Sequence, residues 1–417
     1  MKVFKFGGAS VKDADSVRNI PSILSRYSDK SLVIIVSAMG KTTNTLENLA
    51  DAAFNMDGQT DSIYNKTFEY HHQIVRELFP DENHEIYTYL NELFNEVKSW
   101  LVTLVAAERE HPFDFYYDQI VTTGELLSTR IVSCFLREMG FSNTWLDARE
   151  LIITDSTYRD ARIDWPKTEQ RIRAHMTDEM MVTQGFIGSD GKYSTSLGRE
   201  GSDFSAAIFA NVLGAEEVVA WKDVPGYMNA DPKYFSDTVK LDKISYTESI
   251  ELAFYGAKII HPKTIRPLKN KSIPLRIKSF LDPDAEGSVI HEDQSRDTLY
   301  PSCIIKENQV LISISSRDFS FIGEDMLSGI FGLFAKHRCG INLMQNSAIS
   351  FSVCVDQSLR LADLIKDLQQ DFRVKYNDGL QLVTIRHYNK QTIKKLVQGK
   401  EILLEQRSRV TVQMVVK

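Results

Sequence analysis

The chain has 417 residues, 43% of them hydrophobic and 25% charged, with a formal net charge of -7 at pH 7. That length exceeds what one hydrophobic core usually serves, so two domains are expected. The negative charge argues against nucleic acid as a partner, and no apolar run is long enough to cross a bilayer, which argues against a membrane role. A small anion held by a few local cations stays open. Cys134, Cys303, Cys339 and Cys354 are scattered without metal-ligand or CxxC spacing and read as reduced core residues. Met1 leads within a few residues into VFKFGGAS, leaving no room for a signal peptide, so a cytoplasmic location is expected.

KVFKF (2–6) and SLVIIV (31–36) are short β-rich runs, each followed by Gly or Ser and then by helical spacing. From about Tyr64 to Glu110 the apolar positions recur every three or four residues, which predicts a helical excursion. Strand-like runs return at DQIVTTG (118–124), MMVTQGFIG (180–188), EEVVAWKDV (216–224) and IPLRIKSF (273–280), with helices such as SDFSAAIFANVLGA between them. This alternation predicts an α/β fold with a mainly parallel sheet between helical layers. A turn-rich, charged stretch over 282–300 marks the domain boundary. Beyond it the order is a strand at 309–315, a helix at 325–338, two strands in 341–355, a helix at 359–370 and a strand at 380–388, which suits a small α+β module.

Several stretches carry residues suited to anion and amino-acid chemistry. Lys5 ends the first strand just before Gly7, Gly8 and Ser10. Glycines let backbone N–H groups approach an anion and a lysine neutralises phosphate oxygen, although a Gly-Gly turn is also common punctuation and the Walker GxxxxGK[ST] pattern is absent. SAMGKTTN (37–44) offers small residues and hydroxyls to a ligand, but ordinary helix capping is the better reading of the segment in isolation. In VTTGELLSTR (121–130), Glu125 follows a predicted strand end, where it either receives an ammonium group or favours the first turn of its helix. TSLGREGSD (195–203) sets Arg199, Glu200, Ser202 and Asp203 at a strand-to-helix crossing. Arg199 there suits a carboxylate or phosphate and Asp203 a ligand amine, against the plainer reading of a capped helix. WKDVPGYMNADPK (221–233) reads equally as a loop long enough to fold over a nucleotide or as ordinary tight turns, and YGAKIIHP (255–262) offers Lys258 to a phosphate while His261 reads as structural.

In combination and order, KFGGAS, GELLSTR, GFIG with TSLGREGSDFSAA, WKDVPGYMNADPK and YGAKIIHP resemble the aspartokinases over nearly the whole chain. The resemblance implies an amino-acid-kinase catalytic domain over 1–290 and an ACT-like, ferredoxin-like regulatory region over 291–417 with an abbreviated second module. It implies transfer of the ATP γ-phosphoryl group to the β-carboxylate of L-aspartate, with Mg²⁺, and a homodimer through the ACT region. By position, Lys5, Asp203 and Lys258 are implied to be catalytic. Thr43, Glu125, Arg199, Ser202 and Asp203 are implied to bind aspartate, with Arg199 on its α-carboxylate and Glu125 with Asp203 on its ammonium group. Lys5, Gly7, Gly8, Ser10, Asp223, Met228, Lys233 and Lys258 are implied to bind ATP.

The chain departs from the family pattern at Ala9, Lys222 and Lys233, where Thr, Thr and Arg are common. Lys222 is either an added cation or a solvent-facing side chain; Glu200 is expected to point away from the phosphates. DMLSGIF and INLMQNSA replace the GFLxxxF and VDLxxxSE of lysine-sensitive relatives, so Asn342 and Ala348 stand where acids are expected and Asp325 where glycine is. This implies weak or absent lysine inhibition, with Asp325, Asn342 and Ser347 marking any remaining effector site. Two rivals are a glutamate or acetylglutamate kinase of the same fold and a catalytically silent amino-acid sensor.

Overall fold

The computed structural model describes residues 1–27, 31–106, 110–318 and 320–417. These form two compact units, Met1–Tyr227 with Lys240–Ile250 and Ile259–Gln294, and Met228–Val239 with Glu251–Lys258 and Ser295–Lys417. The units are therefore not the two contiguous stretches expected. Residues 282–300 read as a boundary, yet Ser288–His291 within them is a strand of the main sheet, which holds the chain in the first unit to Gln294.

The first unit is built on an eight-stranded sheet. Its strands include β1 (Lys2–Phe6), β2 (Leu32–Val36), β3 (Asn143–Leu146) and β4 (Met180–Gln184), then, after the hairpin of β5 (Ile187–Ser189) and β6 (Ser194–Ser196), β7 (Glu217–Lys222). The order across the sheet is Lys243–Ser245, Ser288–His291, Leu275–Ser279, β7, β1, β2, β4, β3. Every pairing is parallel except that between Leu275–Ser279 and Ser288–His291. LVIIV is buried at every residue of β2, and β1 is buried from Val3 onward. A continuous apolar run of this kind is stable only inside a parallel sheet covered on both faces. Phe6 and Trp221, neighbours on β1 and β7, stack with centroids 6.2 Å apart and planes 7° from parallel.

The α-helices as far as Leu213 are α1 (Ala14–Leu24), α2 (Thr42–Asn55), α3 (Thr60–Leu78), α4 (Glu85–Val105), α5 (Phe113–Val121), α6 (Thr123–Glu138), α7 (Ala148–Leu151), α8 (Trp165–Ala174) and α9 (Gly201–Leu213). The expected helical excursion is α3 and α4; residues 107–109 of it lie outside the described residues. One element differs from expectation. DQIVTTG is no strand but the end of α5 and the start of α6, so Glu125 follows a helix rather than a strand. Residues Phe115 to Val121 are all buried and α5 packs against α2 and α4. Enclosure on every side removes the 3.6-residue polar rhythm that distinguishes a helix from a strand. Among the described residues no helix is long and apolar enough to cross a membrane.

The second unit carries a six-stranded antiparallel sheet in the order Ile341–Asn346, Ser350–Asp356, Ser302–Ser315, Arg373–Arg386, Thr411–Val416, Ile402–Arg407. Helices Glu324–Lys336 and Leu361–Asp371 complete a strand, helix, two strands, helix, strand module with residues 309–377, and Ile330, Phe334, Leu364 and Leu368 fill its core. The remaining strands hold one helix, Lys390–Val397. That second module takes a strand from upstream, because Ser302–Lys306 pairs with Leu382–Arg386. One module is thus nested in the other, sharing the two long strands.

Gly185 ends β4 where α9 begins to pack. A Cβ there would sit 2.5 Å from Ser202 Cβ and 2.8 Å from Ser202 Cα. Because the obstacle includes backbone, Gly185→Ala is expected to destabilise the protein by about 1–3 kcal/mol. A melting temperature unchanged from wild type would show that the α9 terminus yields freely.

Candidate functional site

β1 lies between β2 and β7: the chain runs from β1 outward to β2 on one side and returns later, through α9, to β7 on the other, and such a switch point opens a crevice. A cleft of about 590 Å³ occupies it. Its walls carry Lys5 from β1, Gly8 after it, Ser37, Ala38, Gly40 and Thr43 after β2, Glu125 from the first turn of α6, Gly198 to Asp203 leading into α9, and Lys222 at the end of β7. Gly8 is required by closeness: a Cβ there would meet the carbonyl oxygens of Gly40 at 2.6 Å and Ala38 at 2.9 Å. The Gly40 N–H donates to the Gly8 carbonyl at 3.0 Å, closing the two loops on each other.

Asp203, buried in the first turn of α9, anchors two cations. Lys5 Nζ lies 2.7 Å from its Oδ1 and Lys222 Nζ 3.0 Å from its Oδ2. Lys222 also donates to the Ile259 carbonyl at 2.6 Å. Burial alone would raise the Asp203 carboxyl, but the ammonium groups of Lys222 and Lys5 outweigh it and hold the group well below the usual carboxylate range. Two ammoniums against one carboxylate leave a surplus positive charge, which suits an anionic ligand.

Glu125 has the opposite setting. Its Oε1 accepts from the Ala38 N–H at 3.2 Å, while Oε2 is buried with no hydrogen-bond partner. Burial pushes its carboxyl up to about 8, opposed in part by backbone amides, the Thr43 hydroxyl and Lys5. At neutral pH it is mostly protonated. An ammonium brought against Oε2 would supply the missing partner and ionise it.

Two further groups were not legible as site residues. Arg159 lines the cleft with its guanidinium 4.1 Å from the Tyr117 ring centroid and Nη2 3.0 Å from Glu47. Its backbone is left-handed (φ 68°), and its N–H donates to Asp118 Oδ2 at 3.0 Å. Asp118 also accepts from the Ser196 N–H at 2.8 Å and hydroxyl at 2.6 Å, and burial pushes its carboxyl up to about 6. This aspartate fastens α5, β6 and the Arg159 loop together. Lys222 is the second group, weighed from sequence only as an added cation or a solvent-facing side chain; it turns inward.

Of the expected site residues, Lys5, Gly8, Thr43, Glu125, Arg199, Ser202 and Asp203 share the cleft. Arg199 is exposed at its rim. Asp203 presents its two oxygens to lysines rather than leaving them open to a ligand amine. Gly7 adjoins Lys5, whereas the Ser10 hydroxyl is spent on the Trp221 carbonyl at 3.2 Å. Asp223 is exposed beyond β7 and absent from the cleft wall, and Met228, Lys233 and Lys258 belong to the second unit. Glu200 lines the cleft in a left-handed conformation (φ 54°), with Oε2 buried and unpartnered. In the second unit, Asp325 is exposed in the first turn of its helix and the Ser347 hydroxyl lies 2.7 Å from that of Ser350. Asn342 is tied inward, accepting from Lys306 at 2.8 Å and donating to Gln309 at 2.8 Å and Asp356 at 3.0 Å.

Residues 1–279 match the model of the amino acid kinase family, and the chain belongs to that family. The relatives within it are aspartokinases, and the resemblance drawn from the motifs is borne out. Lysine-sensitive aspartokinase 3 of Escherichia coli (strain K12) is 29% identical over 398 residues, covering 92% of this chain and 86% of that protein. Chloroplastic aspartokinase 1 of Arabidopsis thaliana is 30% identical over 85% of this chain, which spans 63% of that protein's length. Escherichia coli aspartokinase III, solved with aspartate and ADP in an R-state, matches with a TM-score of 0.83 at 25% identity over 100% of this chain and 96% of that one. The same protein solved with lysine and aspartate in a T-state matches with a TM-score of 0.81, with the same identity and coverage.

The Glu125 setting gives a pH signature. Its carboxyl titrates near 8 when folded against an ordinary value of 4.5, so the native state holds the proton more tightly. The stability that this provides is complete below pH 4.5 and is lost as pH rises to about 8. Glu125→Gln, which does not titrate, should therefore gain on wild type across that interval, by roughly 1–4 kcal/mol at the top of it. Thermal unfolding of both ligand-free proteins from pH 4.5 to 8.5 checks this, and a constant difference would refute it.

Proposed function

We propose that the chain is an aspartate kinase, transferring the γ-phosphoryl group of ATP to the β-carboxylate of L-aspartate to give 4-phospho-L-aspartate and ADP. This is the entry step of lysine, threonine, methionine and diaminopimelate synthesis. The observation that carries the reading is the cleft itself, which sets a surplus of buried positive charge beside a neutral buried carboxyl, in a chain whose relatives are aspartokinases.

A carboxylate is already a nucleophile at pH 7, so no general base is needed. The barrier lies in bringing two anions together and in stabilising charge that spreads over the transferring group. Lys5 neutralises phosphate oxygen at the carboxyl end of β1, with Asp203 fixing its ammonium. Glu125, ionised by the incoming ammonium, binds one end of aspartate, and Arg199 reaches its α-carboxylate from the rim; Thr43 and Ser202 supply hydroxyls between them. Arg159 adds a second guanidinium on the same wall. Gly7, Gly8 and Asp223 complete the ATP side by position in the motifs. Mg²⁺ bound with ATP would shield the phosphate charge, since phosphate and water oxygens are its usual ligands. Among the described residues no three or more His, Cys, Asp or Glu side chains gather to hold a metal.

The same proposal includes a homodimer through the second unit, supported by the sheet-edge strand Ile341–Asn346, where Met344 is 50% exposed. It also includes weak or absent lysine inhibition, because the Asn342 amide that replaces an acid is already satisfied within its own sheet.

An ATP-dependent hydroxamate assay tests the function directly, and product is expected with aspartate. Product with glutamate alone would favour the other kinase reading, and none with either would favour a silent sensor. Lys5→Ala should depress turnover by roughly 100-fold or more, with aspartate affinity changed far less; normal turnover in a folded variant would remove Lys5 from the mechanism. Millimolar lysine in the same assay should leave the rate nearly unchanged, whereas strong inhibition would overturn the regulatory reading.

A further inference from the structure

We propose that Lys222 is a second catalytic cation, contacting the transferred phosphoryl group together with Lys5 across the shared carboxylate of Asp203. The inference rests on the phosphoryl-transfer reading and adds to it a residue that the motif comparison placed among the departures.

Three observations carry it. The first is register: Lys5 pairs with Ala220 and Phe6 with Trp221, so Lys222 follows directly beyond the last paired residue, and both lysines leave the carboxyl ends of adjacent strands. The second is access. The side chains of Lys5 and Lys222 are 10% and 19% exposed, and both line the cleft, so each is mostly enclosed yet open on the ligand side. The third is donor arithmetic. A lysine ammonium has three N–H donors. Lys222 directs one to Asp203 and one to the Ile259 carbonyl, leaving a third.

A purely structural ion pair does not require this arrangement. One lysine would neutralise Asp203, and the second brings a desolvation cost that its partner's single charge does not fully offset. An incoming polyanion restores the balance. As an oxygen of the aspartate β-carboxylate forms its bond to the γ-phosphorus, the bond from that phosphorus to the bridging oxygen breaks and its electron pair leaves with ADP. No proton moves. Charge develops on the oxygens around phosphorus, and two fixed ammoniums at the adjoining strand ends stabilise it from two directions.

The test compares wild type with Lys222→Met, which keeps length and loses charge, and with Lys222→Arg. For Lys222→Met, kcat in the hydroxamate assay should fall by roughly 100- to 1,000-fold while KM for aspartate moves by less than about threefold. Calorimetric titration with ATP and with ADP should show ATP weakened more than ADP, because the lost contact is to the terminal phosphoryl group. Lys222→Arg should recover part of the rate. A folded Lys222→Met enzyme with near-normal kcat overturns the proposal, as does equal weakening of ATP and ADP together with a lowered melting temperature, which would mark a structural tie. Should Lys222→Met fail to fold, Lys222→Arg decides by the same ATP-to-ADP comparison. Absence of aspartyl hydroxamate with wild type would count against the aspartate kinase reading alone, since the titrations still judge Lys222.

Discussion

The carboxylate of Asp203 is the fixed point of this site. It is buried at the start of α9, and it stays ionised only because ammonium groups stand 2.7 and 3.0 Å from its two oxygens. Breaking such a buried pair typically costs about 3–5 kcal/mol, so the lysines are held as firmly as the aspartate. That triad ties β1, β7 and α9 into one corner. The close approaches around it, Gly8 to the Ala38 and Gly40 carbonyls and Gly185 to Ser202, follow from the need to bring those three elements together.

Two acids in one cleft meet opposite fates for a simple reason. Asp203 has cations on both oxygens, whereas for Glu125 the backbone amides, the Thr43 hydroxyl and Lys5 offset burial only in part. One is a permanent anion that orients lysines. The other is a carboxyl that burial pushes up to about 8, so a cation brought against it would favour its ionised form. A zwitterion with an ammonium at one end and carboxylates elsewhere meets both demands at once.

Much of this was written locally in the chain. β1, β2, β4 and β7 are apolar runs ending in Gly, Ser or Lys, and strand, punctuation and ligand loop follow in order. What local reading misplaced was decided by enclosure or by long-range contact. The DQIVTTG run contains β-branched residues and no polar rhythm, so it read as a strand, yet α5 is helical because neighbouring helices surround it. Arg159 sits in a polar loop with no motif; its partners Asp118, 41 residues earlier, Tyr117 and Glu47 are all distant in sequence. Lys222 was visible as a departure but not as an inward-facing cation, because its partner Asp203 is reached through sheet order rather than sequence proximity. Asp203 itself looked free for a ligand for the same reason.

The second unit shows the same logic applied to nested modules. A boundary drawn along the sequence assumes that each module finishes before the next begins, but the strand Ser302–Ser315 serves one module with its first half and the other with its second. The bulges between Lys306 and Leu311 fall where the strand passes between the two partnerships. There the side chains of Lys306, Gln309, Asn342 and Asp356 bond one another. An acid at position 342 would face the Asp356 carboxylate across this network and would have to find a cation to offset it. Asparagine satisfies the same neighbours without charge: its amide oxygen takes the Lys306 ammonium and its two N–H groups take the oxygens of Gln309 and Asp356. A position that in lysine-sensitive relatives is expected to meet an effector is used in this chain to join the modules, and that joint has no unpaired group of Asn342 to offer a ligand.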